Sequence, residues 1–262
     1  MFKSDSKAEA TRSDAPILNR RDFARFAGVS ALGLAVTGCA VAEEPAEAQV
    51  SSEAPTAPVA TTQTADSQAA MTPDEALEMV REGKQRFVSA QPRNRDFAQQ
   101  IQATAAGQYP FAFILGCVDS RVPIEVVFDQ GVGDVFTARV AGNVMNEDML
   151  GSMEFACNLA GAKAIVVLGH TSCGAVKGSI AEVRIGNLTD LVEKIEPAVE
   201  SVTGERDVTD LDYVDRVAEA NVALVLRQIR DESPLLVEME QAGDIALVGA
   251  MYDVSSGEVR FL

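Results

Sequence analysis

The sequence predicts an α/β fold with a mostly parallel β-sheet flanked by helices. Two short apolar runs, FAFILG at 111–116 and AIVVLG at 164–169, each end in a glycine, which is typical of parallel strands buried on both faces. Helical patterns separate these strands from each other and from the strands that follow, and this alternation places helices on both faces of the sheet. Residues 71–262 suffice for one domain with a single core.

The first helix of this domain has the clearest start signal, because Thr72 suits the N-cap, Pro73 suits the first turn and Glu75 completes a capping box. The elements predicted after it are a helix over 95–106, a strand from 111, a short helix over 122–130, a strand over 134–140, a helix over 147–160, a strand over 164–169, a helix from 173, helices over 188–201 and 210–232, and strands over 244–254 and 258–262. Polar residues that follow the strands should collect at one edge of the sheet, which is the usual place of chemistry in α/β proteins.

The first 38 residues have the pattern of an export signal. Arg20 and Arg21, followed by Asp22 and Phe23, form a twin-arginine motif. The weakly apolar run over 26–36 that comes next is too short to span a bilayer. A basic pair before a short buried helix is the alternative interpretation. The pattern predicts an exported protein, periplasmic or otherwise extracytoplasmic.

The segment after this signal predicts a tether. The tetrapeptide VTGC at 36–39 resembles a bacterial lipobox, in which Cys39 would be acylated and become a lipid anchor. Plain cleavage by a signal peptidase nearby is the alternative, and would leave no anchor. Residues 39–70 are rich in Ala, Pro, Thr, Ser, Gln and Glu. Such a composition buries too little apolar surface to offset the entropy of ordering, so a flexible linker is expected.

The net charge of the chain limits the classes of partner that it can be expected to bind. The sequence has 39 acidic and 22 basic residues, and its formal net charge is −17. Phosphate backbones and anionic lipid surfaces attract proteins through Lys and Arg, so this balance argues against nucleic acids and against anionic lipid surfaces as partners. It does not identify a substrate.

Three side chains that bind metals well follow the two buried strands. Cys117 comes directly after the first strand, and His170 and Cys173 follow the second. If the strands are neighbours, the three residues meet at one edge, and the three-residue spacing of His170 and Cys173 fits one turn of helix. Two thiolates and one imidazole suit zinc, and three protein ligands with a fourth position left for water are typical of a catalytic site. Asp119, two residues beyond Cys117, is a further candidate ligand.

The cysteine count supports metal rather than a disulfide framework. Besides Cys39 the chain has Cys117, Cys157 and Cys173, and its one histidine is His170. An exported protein could oxidise two of these cysteines, but three is an odd number and the histidine lies close to one of them. Cys157 falls in an apolar helical stretch and is expected to be a small buried hydrophobic residue.

Several motifs together identify a family. They are CVDSR at 117–121, GDVFTARVAGN at 133–143, SMEFA at 152–156, GHTSCGAV at 169–176, and GAMYD at 249–253 followed by a glycine at 257. On these motifs the chain resembles the β-class carbonic anhydrases over essentially all of 71–262. The resemblance implies one zinc ion per chain, held by Cys117, His170 and Cys173, and the reversible hydration of carbon dioxide to bicarbonate and a proton by zinc-bound hydroxide. It also implies a homodimer or larger homo-oligomer, in which N-terminal helices such as those at 72–106 pack on the partner.

The resemblance also assigns roles beside the metal. Asp119 is either a catalytic residue that orients the zinc-bound hydroxide or a fourth ligand that closes the site. Arg121 would switch between the two states through a charge-assisted, bidentate contact with Asp119; a structural ion pair is the alternative. Gln108 stands where plant-type members contact substrate, and a solvated loop residue is its alternative. The chain has no Trp, the residue that some members use in a regulatory bicarbonate pocket, so that regulation is not expected.

The ligand set has two chemical consequences. Two thiolates neutralise the charge of the cation, so a bound water should be less acidic than in a three-histidine site, and the rate should rise on the alkaline side. Because the one histidine would be committed to the metal, the proton must leave through water, buffer or a carboxylate.

Three other functions remain open from the sequence. Carbon disulfide and carbonyl sulfide hydrolases share the zinc ligands and differ in pocket access and assembly. A zinc protein permanently closed by Asp119 would be a bicarbonate sensor or a structural module. A dithiol redox protein would need Cys117 and Cys173 free and reactive. Zinc deaminases are excluded because the chain lacks both their H-x-E and their P-C-x-x-C motifs.

Overall fold

Five strands form one sheet in the order β2-β1-β3-β4-β5. The computed structural model describes residues 59–262, and its strands are β1 (Ala112–Gly116), β2 (Val135–Arg139), β3 (Ala164–His170), β4 (Ala246–Tyr252) and β5 (Val259–Phe261). Strands β1 to β4 run parallel, and β5 pairs antiparallel with β4. The predicted α/β class with a mostly parallel sheet is confirmed. The predicted export signal over 1–38 and the predicted lipidation site Cys39 lie outside the described residues.

Helices cover both faces of the sheet. They are α1 (Ala65–Ala70), α2 (Pro73–Val88), α3 (Phe97–Thr104), α4 (Ile124–Val127), α5 (Glu147–Glu154) continued by a π-helix (Phe155–Leu159), α6 (Gly174–Ile180), α7 (Leu188–Glu193), α8 (Glu196–Ser201), α9 (Leu211–Glu232) and α10 (Pro234–Ala242). A single 3₁₀ turn (Ala141–Asn143) follows β2 within this part of the chain. Over the same residues, no helix is both long enough and apolar enough to cross a membrane.

The two central strands are the centre of the core. Every residue of β1 and of β3 is buried, and their side chains alternate between two apolar clusters. Phe113 and Leu115 join the cluster that includes α9, whereas Ala112 and Ile114 join the cluster that includes α2. Burying a large aliphatic or aromatic side chain contributes about 1.5–3 kcal/mol. The prediction that the two apolar runs are strands covered on both faces is therefore confirmed.

The N-terminal helices are tied to the domain by polar contacts. The predicted capping box of α2 is confirmed: the Glu75 backbone N–H donates to Thr72 Oγ1 at 3.3 Å, and the Thr72 backbone N–H donates to Glu75 Oε2 at 2.8 Å. Beyond α2, the buried carboxylate of Asp129 accepts hydrogen bonds from the guanidinium groups of Arg86 and Arg95. These ion pairs fix α2 and the segment before α3 to the chain that follows α4.

The prediction of a flexible linker through residue 70 is wrong at its C-terminal end. Residues 65–70 form helix α1, which begins with a capping box made by Thr64 and Ser67. The buried Gln68 amide donates to the carbonyl oxygens of Pro110 and Ala160, at 2.7 and 2.8 Å. Hydrogen bonds to two distant carbonyl groups order this segment. The prediction relied on the low apolar content of the segment, which gives no indication of these hydrogen bonds.

Two further helices differ from the prediction. The single helix expected over 188–201 is the pair α7 and α8, and Pro197 lies in the first turn of α8, where a missing N–H breaks no helical hydrogen bond. Helix α10 is absent from the prediction. It is capped by Ser233, whose hydroxyl accepts from the Leu236 backbone N–H at 3.2 Å, and it ends at the left-handed Gly243.

Candidate metal centre

Cys117, His170 and Cys173 meet at the C-terminal edge of the sheet. Strands β1 and β3 are parallel neighbours, with Leu115 opposite Val167, so both strands end at the same edge. Cys117 follows the end of β1, and His170 is the last residue of β3. The nitrogen and sulfur donor atoms of the three side chains all lie within 4.8 Å of one another, and all three residues are buried. The sequence argument from neighbouring strands therefore predicts this grouping correctly.

The spacing of His170 and Cys173 has a different cause from the expected turn of helix. His170 belongs to the strand, and Cys173 is the N-cap of α6, so a two-residue turn joins them. Ser172 in this turn is left-handed, with φ 53°. Its backbone N–H donates to Asp215 Oδ1 of α9 at 2.7 Å, while the Thr171 N–H donates to the Tyr252 carbonyl at 2.9 Å. Neighbouring elements thus hold the turn in the conformation that brings the two side chains together.

The two thiols of the site shift each other's pKa in opposite directions. The Cys173 side chain is the largest influence on Cys117 and lowers its pKa to about 4, while burial acts in the opposite direction. The Cys117 side chain and burial together raise the pKa of Cys173 well above its usual value. Cys117 is therefore the more acidic of the two thiols. A divalent cation that binds both sulfurs would displace their remaining thiol protons, because metals bind thiolates.

The imidazole of His170 is oriented for a metal. Its Nδ1 lies 2.9 Å from the Thr171 carbonyl oxygen, and because a carbonyl can only accept, Nδ1 carries the proton. In the neutral ring, Nε2 then presents a lone pair. This atom is fully buried and has no hydrogen-bond partner among the described residues. An orphaned ring nitrogen beside two sulfurs fits a zinc ion, and a hydrogen bond from the other ring nitrogen is the usual way such a ligand is held.

Asp119 lies beside the three donors, and Arg121 holds it. The Arg121 backbone N–H and Nε both donate to Asp119 Oδ1 at 2.9 Å, and Nη2 donates to Oδ2 at 2.7 Å. The predicted bidentate contact is present, and it lowers the pKa of the Asp119 carboxyl to about 2. Asp119 Oδ2 is 4.0 Å from His170 Nε2. Arg121 therefore engages both oxygens of the Asp119 carboxylate.

Arg139 is a site residue that the sequence argument does not identify. It is the last residue of β2, opposite Gly116. Its Nε donates to the Cys117 carbonyl at 2.8 Å, and its Nη2 donates to the Asp119 carbonyl at 2.6 Å. It therefore fixes the backbone that carries both side chains. The available signal is its position: a basic residue at the end of a strand that neighbours β1.

The structure does not bring Gln108 or Cys157 into the site. Gln108 is exposed in the loop after α3, and no hydrogen bond joins it to the three donors within residues 59–262. Cys157 lies in the π-helix and is buried in the core, as predicted. Burial raises the pKa of its thiol to about 12, so Cys157 stays protonated and is unsuited to metal binding.

Comparison with known proteins places this site in a family. The family model for carbonic anhydrase matches residues 112–259, which include Cys117, His170 and Cys173. The chain belongs to the carbonic anhydrase family. Carbonic anhydrase 2 of Mycobacterium tuberculosis is 38% identical over 191 residues, which cover 71% of this chain and 90% of that relative. The expectation of a carbonic anhydrase enzyme is confirmed.

Solved structures identify the β class of the family. The β-carbonic anhydrase CafA of Aspergillus fumigatus is 28% identical, with a TM-score of 0.55 over 72% of this chain and 89% of that one. A tetrameric β-carbonic anhydrase of the ascomycete Sordaria macrospora shares the fold at 23% identity, with a TM-score of 0.54 over 63% of this chain and 90% of its own. The predicted resemblance to the β class is confirmed.

Proposed function

We propose that the chain catalyses the reversible hydration of carbon dioxide to bicarbonate and a proton with one zinc ion held by Cys117, His170 and Cys173. Membership of the carbonic anhydrase family supports the reaction. The observation that carries the metal assignment is the buried, unpartnered Nε2 of His170 within 4.8 Å of two cysteine sulfurs. A buried polar atom without a partner costs about 1–3 kcal/mol, and a cation bound at Nε2 would remove that cost.

The chain's own residues would prepare the reaction around the cation. Zinc bound at this site supplies the acidification of water that produces a nucleophile for carbon dioxide near neutral pH. Asp119 is ionised and can accept a hydrogen bond from the reacting water. Arg121 keeps the carboxylate in one orientation, and Arg139 fixes the backbone between Cys117 and Asp119. Since the sequence contains no histidine besides His170, released protons would pass to water, buffer or a carboxylate.

Stopped-flow hydration of carbon dioxide by the full chain, together with metal analysis, tests this proposal. We expect about one zinc per chain. Cys173→Ser should lose zinc and activity by more than the roughly 10- to 100-fold typical of losing an outer contact. The matched control is Cys157→Ala, which removes a buried thiol away from the site and should keep both. Full zinc occupancy and activity in Cys173→Ser would overturn the ligand assignment.

The same assay can decide the substrate. Carbon disulfide and carbonyl sulfide should be tested beside carbon dioxide on the same preparation, and we expect carbon dioxide to be preferred by a large factor in kcat/KM. Preferential turnover of either sulfur compound would assign the chain to the related hydrolases. A zinc-loaded chain inactive on all three would indicate a sensor or structural role.

We also propose that the chain works as a homodimer or larger homo-oligomer. Strand β2 is an edge of the sheet, and Phe136 on it packs edge-to-face on Phe155, with ring centroids 6.0 Å apart. Phe155 is 49% exposed and Leu159, in the same π-helix, is 74% exposed. An unpaired strand beside exposed apolar side chains is a surface that proteins normally cover. Export and acylation at Cys39 stay predictions from the sequence.

A further inference from the structure

Helix α9 carries one buried polar residue in its apolar stripe. The side chains that α9 buries recur at helical spacing, and most of them are valine or alanine. Asn221 occupies a place in this series between Ala218 and Val222 and is only 1% exposed. Its Nδ2 donates to the carbonyl oxygen of Gly142 at 2.8 Å. Its Oδ1 is buried without a hydrogen-bond partner among the described residues.

The buried amide oxygen of Asn221, unpaired within residues 59–262, costs stability that packing does not offset. A buried amide oxygen without a partner is unfavourable by about 1–3 kcal/mol, and an apolar side chain of similar volume would avoid that cost. The one contact that only a polar residue can make here is the hydrogen bond to Gly142. Asn221 is therefore expected to act through its hydrogen bond to Gly142.

Gly142 lies against a candidate metal ligand. Its backbone N–H donates to Cys117 Sγ at 3.3 Å. Its backbone is left-handed, with φ 69° and ψ 18°, and an added Cβ would lie 2.6 Å from Ile195 Cδ1 and 3.1 Å from Ala175 Cβ. Asn143, which follows, is also left-handed, with φ 43°. Two consecutive left-handed residues form an unusual turn, and Asn221 fixes the carbonyl group between them.

We infer that Asn221 is a positioning residue for the metal centre, which acts through Gly142 to hold an N–H···S hydrogen bond on the Cys117 sulfur. This inference rests on the proposed function, because it concerns how Cys117 binds the cation. A hydrogen bond to a ligating thiolate withdraws electron density from the sulfur and orients its lone pairs, as outer contacts of metal ligands generally do. Without Asn221 the turn can relax, and the thiolate donates more strongly and in a less defined direction.

The absorption spectrum of the full chain loaded with Co²⁺ in place of zinc tests the inference. Wild type should show a thiolate-to-cobalt charge-transfer band in the near ultraviolet. In Asn221→Leu, which keeps the number and branching of side-chain heavy atoms and cannot donate, the band should move to longer wavelength while one cobalt per chain is retained. The kcat/KM of the zinc form should fall about 10-fold. Val225→Ala is the matched control, because it removes buried volume from the same helix and should leave the band in place.

The outcomes separate this inference from the proposed function. A wild-type band that is identical in Asn221→Leu overturns the positioning role and leaves the ligand assignment standing. A chain that binds cobalt with no thiolate band in wild type overturns both. If Asn221→Leu does not fold, Asn221→Ser provides the same reading, since its hydroxyl is too short to reach Gly142 and can bond within its own helix; a shifted band supports the role and an unshifted band overturns it.

Discussion

Asp119 is the carboxylate that lies beside the three donors, 4.0 Å from His170 Nε2. Both of its carboxylate oxygens accept from Arg121, and the contact lowers the pKa of the carboxyl to about 2. Asp119 is therefore ionised at neutral pH. Its orientation, and not its protonation, is the property that a substitution at Arg121 would change.

Arg121→Ala should lower activity without removing the metal. The carboxylate would lose both side-chain hydrogen bonds and become free to turn, so we expect kcat/KM for carbon dioxide hydration to fall about 10- to 100-fold. Zinc content, measured on the same sample, should stay at about one per chain. Arg184→Ala is the control, because Arg184 is an exposed arginine with one weak ion pair, 3.7 Å to Glu193. Unchanged activity in Arg121→Ala would make the contact a structural ion pair.

The same ion pair should give Asp119 a pH-dependent effect on stability. Its folded-state pKa, about 2, lies below the ordinary aspartate value of 3.8, so its contribution is present above about pH 4 and is lost as the pH falls through 4 toward 2. Arg121 is half exposed, and solvent screening limits the contribution to about 1 kcal/mol or less. Urea unfolding of the metal-free chain should show a deficit in Asp119→Asn at pH 6 that shrinks by pH 3. A deficit that grows in acid would contradict the assignment.

Single residues also show how far sequence reasoning reaches. Cys117, His170 and Cys173 could be grouped from the sequence because each follows a strand that is recognisably buried, and parallel neighbours end together. Arg139 and Asn221 could not be identified in this way. Each acts through a hydrogen bond to a backbone carbonyl, Cys117 for one and Gly142 for the other, and the sequence pattern does not indicate which carbonyl a side chain will reach.

Helices are predicted correctly where a long stretch shows apolar periodicity, and they are missed where that stretch is short. Helix α9 has an unbroken stripe of buried residues and matches its predicted range to within one residue. Helix α10 buries only Leu236, so it has no stripe to detect, although Ser233 and Pro234 form a recognisable start. The π-helix over 155–159 lies within the stretch predicted as one helix over 147–160, and the sequence pattern does not distinguish it.

Close packing between elements makes one glycine irreplaceable in α2. A Cβ on Gly83 would lie 1.8 Å from the carbonyl oxygen of Phe128, so the helix contacts the backbone after α4 directly. Gly83→Ala should lower the free energy of unfolding by about 3 kcal/mol despite the better helix propensity of alanine. Gly151→Ala in α5, where an added Cβ meets no atom within 4 Å, should raise it by about 1 kcal/mol. Urea unfolding of both variants checks the contrast, and equal effects would contradict the packing argument.

At the scale of the whole molecule, fold class and strand adjacency follow from the sequence, but the N-terminal boundary does not. The sheet order places β1 and β3 side by side, as the grouping of the ligands requires. The start of the ordered domain depends on the amide of Gln68 reaching carbonyl groups far along the chain. Composition measures apolar content, and it therefore misses a segment anchored by polar contacts alone.

Assembly should depend on the exposed apolar surface beside β2. The double substitution Phe155→Glu with Leu159→Glu removes about 1.5–3 kcal/mol of burial per side chain, so association should weaken by more than about 100-fold. Analytical ultracentrifugation should show a shift toward monomers. Leu211→Glu, at a residue that is 50% exposed at the start of α9, serves as the control and should leave the assembly intact. An unchanged oligomer in the double variant would assign the interface elsewhere.

The position of the three donors at two strand ends has a consequence for folding. Cys117 follows β1 and His170 ends β3, and between these strands lie α4, β2, the 3₁₀ turn, α5 and the π-helix. A cation that bridges the two residues would therefore close a long loop, much as a reversible cross-link does. Unlike a disulfide, such a cross-link would stabilise the folded state more as the free concentration of the cation rises, because a cation that binds only the native state stabilises that state by mass action. Resistance to heat and to proteases would then follow the cation supply of the compartment in which the protein resides.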